Sequence, residues 1–269
     1  MKLRTLAWST FGSFFHNWLI LILLMVCGAV VLLMLVPLMG MKAVTSAQNA
    51  AQMQTVVLSL VSSIMTFVSA FGSLVAAWAA ADSVATEMTS GTILAVMARP
   101  VKRWEFLLGK YLGTMLLMST FVVMMFGLSW LLAWIGGERI QSTPWVLLAY
   151  PLVRYAIWAA VAIALTTVLR PLLTVGIIFF LSLAAWRLGT ADFDEIQRVA
   201  LRNLARVAYW VLPSTNLLSE SRFLEITHAS LKQVGWLEHA TTLAYGLDYA
   251  LVCLLLAMWS FHYRSLKRD

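Results

Sequence analysis

Residues 106–135 read FLLGKYLGTMLLMSTFVVMMFGLSWLLAWI and carry a single formal charge, Lys110. As a helix rising 1.5 Å per residue, this stretch reaches about 45 Å, more than the ~30 Å hydrocarbon core of a bilayer. Working outward, five further windows have the same character: 18–39, 55–81, 144–169, 172–188 and 241–262. All six together hold four charges, Lys110, Arg154, Arg187 and Asp248. The chain of 269 residues is 61% hydrophobic and 12% charged, where a soluble domain has ~25% charged residues. A soluble enzyme, a disordered chain and a disulfide-stapled secreted domain are therefore excluded. The expectation is an all-α polytopic membrane protein with six transmembrane helices, forming one integrated domain over residues 1–269.

A net charge of +7 could suggest nucleic acid, but basic residues in a polytopic chain flank the spans and meet anionic lipid, so no nucleic-acid partner is expected. With the N-terminus inside, the inner pieces carry Lys2, Arg4, Arg99, Lys102, Arg103, Arg170, Arg264, Lys267 and Arg268. The two short outer loops carry Lys42 and Arg139. Short loops and the first helix set orientation, and both place the N- and C-termini in the cytoplasm. The first window is too long for the ~7–15 residue apolar core of a signal peptide and reads as a retained anchor. Before it, Leu3, Leu6, Ala7, Phe11 and Phe14 recur at helical spacing, as in a helix lying along the inner interface. Cys27 and Cys253 fall inside spans and read as packing residues. Ser69, Ser73, Ala76, Ala77, Ala80 and Ala81 recur at intervals that let helices approach closely.

The connections are unequal. Residues 82–105 form the long inner loop, whereas the turn between the fourth and fifth spans is only Arg170 and Pro171. The outer segment, 189–240, contains Leu201, Leu204, Ala208 and Val211 on one helical face and Arg198, Arg202 and Arg206 on another. That pattern predicts an outer interfacial helix over about 194–212, its Arg row suited to lipid phosphates. In the inner loop, a short helix over about 90–98 exposes Ile93, Leu94, Val96 and Met97 and stops at Arg99-Pro100. An apolar helix held just outside a membrane needs a partner.

At these residues the sequence resembles the ABC-2 type permease family, the membrane subunits of ATP-driven exporters. Glu87, Gly91-Thr92, Pro100, Arg103 and Gly109-Lys110 fit its loop pattern, and Leu212-Pro213 with Asn216 resembles a Leu-Pro element of its outer segment. The resemblance implies a dimeric permease, a homodimer here, in the bacterial cytoplasmic (inner) membrane. It also implies that an ABC ATPase dimer docks on this loop as a coupling helix. The coupling residues would be Glu87, Gly91, Thr92, Ile93, Leu94, Arg99, Pro100, Lys102, Arg103 and Glu105. ATP and Mg would be bound by that partner and no cofactor by this chain. Independently, a phosphate-binding loop needs Gly-x4-Gly-Lys-Ser/Thr, and Gly109-Lys110 is followed by Tyr111 and preceded by Trp104 where the first Gly belongs. Lys110 reads as a basic residue reaching for the headgroups. The almost wholly apolar spans suggest a hydrophobic or lipid-like substrate moved outward.

Two other classes compete. Arg154 and Asp248 lie at similar depths and are expected to form an intramembrane charged pair, which a secondary transporter or channel could use. An intramembrane enzyme would need a catalytic or metal constellation. His16, His228, His239 and His262 show no His-Glu-x2-His spacing, no Gly-x-Ser-x-Gly occurs, and no metal is expected. His228 and His239 read as solvated surface residues, and Met39, Met41 and Met53 as packing or lipid-facing residues rather than copper ligands.

Overall fold

The computed structural model describes residues 2–14, 17–33, 50–89, 102–136, 144–190, 199–214, 217–218 and 236–263. Eight helices account for nearly all of them: α1 (Lys2–Phe14), α2 (Trp18–Leu33), α3 (Ala50–Thr89), α4 (Arg103–Gly136), α5 (Pro144–Thr166), α6 (Pro171–Thr190), α7 (Val199–Val211) and α8 (Trp236–Tyr263). The all-helical class is as expected. Among the described residues, five segments are long and apolar enough to cross a membrane: Ser63–Met88, Arg103–Leu128, Leu148–Thr166, Pro171–Leu188 and Trp236–Tyr263. The described part of the expected first span, α2, has 16 residues, about 24 Å. Residues 34–39 of that window lie outside the described residues.

Local chemistry sets several boundaries. Pro144 and Pro171 open α5 and α6, where a missing N–H costs nothing. The Arg170 carbonyl accepts the first helical bond of α6 from the Thr174 N–H at 3.0 Å. At the start of α4 the Glu105 carboxylate accepts from the Lys102 N–H at 2.9 Å, closing one half of a capping box.

α5 is the central helix, packed on α3, α4, α6 and α8. Its Tyr150, Tyr155, Ile157, Trp158 and Ile163 are fully buried. Lipid tails are as apolar as leucine, so helices in a bilayer associate chiefly through close van der Waals contact and a few hydrogen bonds. The small residues fit that need. Ser69, Ser73, Ala76, Ala77, Ala80 and Ala81 are all buried, and Ala77, Ala80 and Ala81 share a core with Ala159 and Ala162 of α5. Two glycines mark the tightest approaches to α5. A Cβ on Gly72 would lie 2.2 Å from the Tyr155 hydroxyl, and one on Gly246 would lie 2.2 Å from Val153 Cγ1. Cys27 is buried and Cys253 half-buried, both as free thiols.

α1 is helical as its periodicity predicts, and its inner face packs on α4. A Cβ on Gly109 would meet Leu6 at 2.7 Å, and one on Gly113 would meet Thr10 Cβ at 2.6 Å and the Ala7 carbonyl at 2.9 Å. Phe14 then joins Leu117 and Ala79. Each four-residue step along α1 matches one along α4, so the two helices run side by side in the same direction.

Candidate functional site

Of the residues expected to couple this chain to a partner, Glu87, Lys102, Arg103 and Glu105 lie at one end of the bundle, where α3 stops, α4 starts and α8 ends. The expected loop 82–105 is shorter than its sequence suggests. Residues 82–89 continue α3, and Arg103 to Glu105 already belong to α4. Nothing between Ala81 and Ser90 breaks a helix, and the first glycine is Gly91. Gly91, Thr92, Ile93, Leu94, Arg99 and Pro100 lie outside the described residues.

Glu87 is therefore a helical residue, and its carboxylate accepts a hydrogen bond from the Lys110 ammonium across the α3–α4 seam. The Lys110 side chain is 7% exposed and that of Glu87 27%. Lys110 does not reach for headgroups, because an internal carboxylate is nearer. Its ammonium also lies 5.7 Å from the centroid of the Phe106 ring, a cation–π distance. Phe106 stacks on Phe261 of α8, centroids 6.1 Å apart. One turn earlier, Arg103 Nη1 donates to the carbonyls of Phe261 at 3.2 Å and His262 at 2.9 Å. These carbonyls belong to the last turn of α8, where helices leave acceptors unpaired and a cation is favoured by the dipole. Nearby, Asn17 Nδ2 donates to Asp82 Oδ2 at 2.7 Å, and Thr86 Oγ1 donates to the Asp82 carbonyl at 2.8 Å. Lys102 is exposed.

The intramembrane pair does not form within the chain. Arg154 Nη1 reaches Ser69 Oγ on α3 at 3.4 Å. Asp248 is exposed, on the side of α8 opposite the buried face of Gly246, Ala250, Leu254, Ala257 and Phe261. Depth along the axis is similar for both residues, but two positions along a helix turn a side chain by about 200°. Asp248, two from Gly246 and two from Ala250, points away from α5.

At the opposite end, Tyr150 Oη pairs with His239 Nδ1 at 2.9 Å, so His239 is engaged in the bundle rather than simply solvated. The Tyr249 hydroxyl donates to the Val211 carbonyl at 3.0 Å, and the Ser214 N–H donates to Tyr245 Oη at 3.1 Å. Beyond α7, Pro213 is buried and Leu218 packs near Gly246 in a core with Val153 and Ile157. Asn216 and Arg198 lie outside the described residues. On α7, Leu204, Val207 and Val211 form an exposed apolar stripe, Arg206 is exposed and Arg202 half-buried. Among the described residues no group of three or more His, Cys, Asp or Glu gathers as metal ligands do.

Against known families, the model described as ABC-2 family transporter protein matches residues 4–266. A search of curated proteins finds none that matches.

Proposed function

The chain belongs to the ABC-2 family of transporter proteins, and from that premise we propose that it is the membrane half of an ATP-driven exporter of hydrophobic or lipid-like substrates. ABC-2 permeases lack a catalytic ATPase domain and work with ATPase subunits, so ATP and Mg are bound in a partner. In this reading the permease is a homodimer in a bacterial cytoplasmic membrane with both termini inside. A sixth span extends α2 beyond Leu33, and the ATPase docks on the apolar residues of 90–98 and the basic group Arg99, Lys102 and Arg103.

One observation carries the docking assignment. The end of the bundle that bears this segment is where α3, α4 and α8 are tied by charged and charge-assisted contacts. A push delivered there meets three helices at once. The spans offer a substrate mostly apolar and aromatic surface: Phe179, Phe180 and Leu183 on α6 and Leu251, Leu255 and Trp259 on α8 are exposed. Transport then follows as a population shift, with nucleotide-driven closure of the ATPases displacing the docked segment and the spans exchanging inward-open and outward-open packings.

Co-purification with the ATPase tests the assignment. Ile93→Asp and Arg99→Glu should each release the ATPase, since truncating or reversing a desolvated interface contact typically costs about 2–5 kcal/mol. Undiminished complex and undiminished stimulated ATP turnover in both variants would overturn it. On the outer face, we place α7 on the membrane surface with Leu204 and Val207 toward lipid and Arg202 and Arg206 toward phosphates. Spin labels at 204 and 207 should report a lipid environment; free aqueous exposure would refute this placement.

A further inference from the structure

We infer that Glu87 and Lys110 are not part of the ATPase contact but form an internal strut, a pair of positioning residues that makes α3, α4 and α8 move together when the docked segment moves. The inference rests on the docking reading above and adds how a displacement at residues 90–101 enters the bundle.

The chain runs from Glu87 to the end of α3 at Thr89 and then directly into the docking segment, so any pull on that segment reaches the last turn of α3 first. At that turn α3 is held to α4 by the Glu87–Lys110 pair, whose ammonium is buried. Separating the pair would leave a cation and a carboxylate in a low-dielectric seam, and Glu87 Oε2 is already buried without a hydrogen-bond partner among the described residues. Sliding α3 alone is therefore unfavourable compared with carrying α4 along. From α4 the linkage continues through Phe106 stacked on Phe261 and through Arg103 on the final carbonyls of α8. Gly109, next to Lys110, bears Leu6 of α1, so the N-terminal helix rides on the same unit.

A neutral replacement separates this role from simple stabilisation. Substituting a buried ion pair by apolar residues of similar size is often harmless to folding. Glu87→Met with Lys110→Met should thus yield a folded permease that still binds its ATPase yet transmits no coordinated movement. In the complex with its ATPase, with Cys27 and Cys253 replaced by Ala, spin labels at positions 86 and 263 report the α3–α8 distance without nucleotide and after trapping with ATP and vanadate. In the parent this distance should be the same in both states. In the double-Met chain it should change on trapping, and permease-stimulated ATP turnover should fall at least about fivefold, the lower range of coupling between sites. The charge-swapped pair Glu87→Lys with Lys110→Glu should restore the parent behaviour.

The strut is overturned if the parent distance itself changes on trapping. It is equally overturned if the double-Met chain keeps parent turnover and a constant distance, or if it releases the ATPase, which would make the pair part of the docking surface. Failure of the docking reading shows separately, as undiminished ATPase binding by the Ile93 and Arg99 variants.

Discussion

The two ends of this bundle are fastened by different chemistry. Where α3, α4 and α8 meet, the contacts that join them are Glu87 with Lys110 and Arg103 with two carbonyls, with Asn17 on Asp82 and a neutral Thr167–Ser260 hydroxyl pair beside them. At the opposite end they are hydroxyl contacts: Tyr150 with His239, Tyr245 with the Ser214 N–H and Tyr249 with the Val211 carbonyl. A charge-assisted bond is roughly twice as strong as a neutral one, and stranding a buried charge costs more than losing a hydroxyl contact. One end is therefore built to stay together under load. The other joins α7 and the residues after it to α8 by contacts that can be exchanged singly.

The sharpest test is to strand one charge. Lys110→Met leaves Glu87 in its seam and should lower stability by about 3 kcal/mol, the lower end of the range for breaking a buried pair because the Glu87 side chain retains 27% exposure. Thermal unfolding in detergent reads the loss, and a change no larger than that of an outer-end tyrosine would break the contrast.

Glycine substitutions come next and should separate the ends by their rescue. Gly246→Ala brings a Cβ to 2.2 Å from Val153 Cγ1, a side-chain clash, and overpacking of this kind costs about 1–3 kcal/mol. Adding Val153→Ala should recover part of it. Gly113→Ala should cost a similar amount, but Thr10→Ala should recover less, because alanine keeps the Cβ that lies 2.6 Å away and the Ala7 carbonyl at 2.9 Å belongs to the backbone. Equal rescue at both sites would show that α1 shifts freely on α4.

Smaller effects belong to the hydroxyl contacts. Tyr249→Phe and Tyr150→Phe should each cost about 0.5–1.5 kcal/mol, the net worth of one hydrogen bond. Smallest is the coupling between Arg154 and Asp248. Since Asp248 faces away from α5, the losses of Asp248→Asn and Arg154→Gln should add to within about 0.5 kcal/mol, as for groups that do not meet. A larger coupling would show that the charges meet across two copies of the chain.

Much of this architecture is legible from hydropathy because burial in lipid depends on composition over about 20 residues, and α7 is legible because its two faces repeat at helical spacing. The family motif is legible too, but its local structure is misread. Glu87 falls within a charged stretch and reads as loop, although no helix breaker precedes Gly91 and a stop-signal reading would have carried α3 to Thr89. With α3 extended, Glu87 and Lys110 come within reach. The Arg154–Asp248 expectation failed for a different reason, since it compared depths and ignored azimuth. Gly246, Ala250 and Ala257 already mark the packed face of α8, and Asp248 lies opposite them. Contacts such as Arg103 with Phe261 have no local signal at all.

That last contact bears on how the protein is made. Arg103 and its carbonyl acceptor on Phe261 are separated by 158 positions. At a synthesis rate of about 5–20 residues per second, the guanidinium leaves the ribosome roughly 10–30 s before its partner exists. Through that interval the nascent chain must hold the start of α4 with borrowed acceptors, water or lipid phosphate, and the clasp shuts only when α8 has been translated and inserted. A chain lacking α8 would carry an unclosed cationic edge at the start of α4. Synthesis of α8 is thereby recorded in the tertiary structure as a pair of charge-assisted hydrogen bonds.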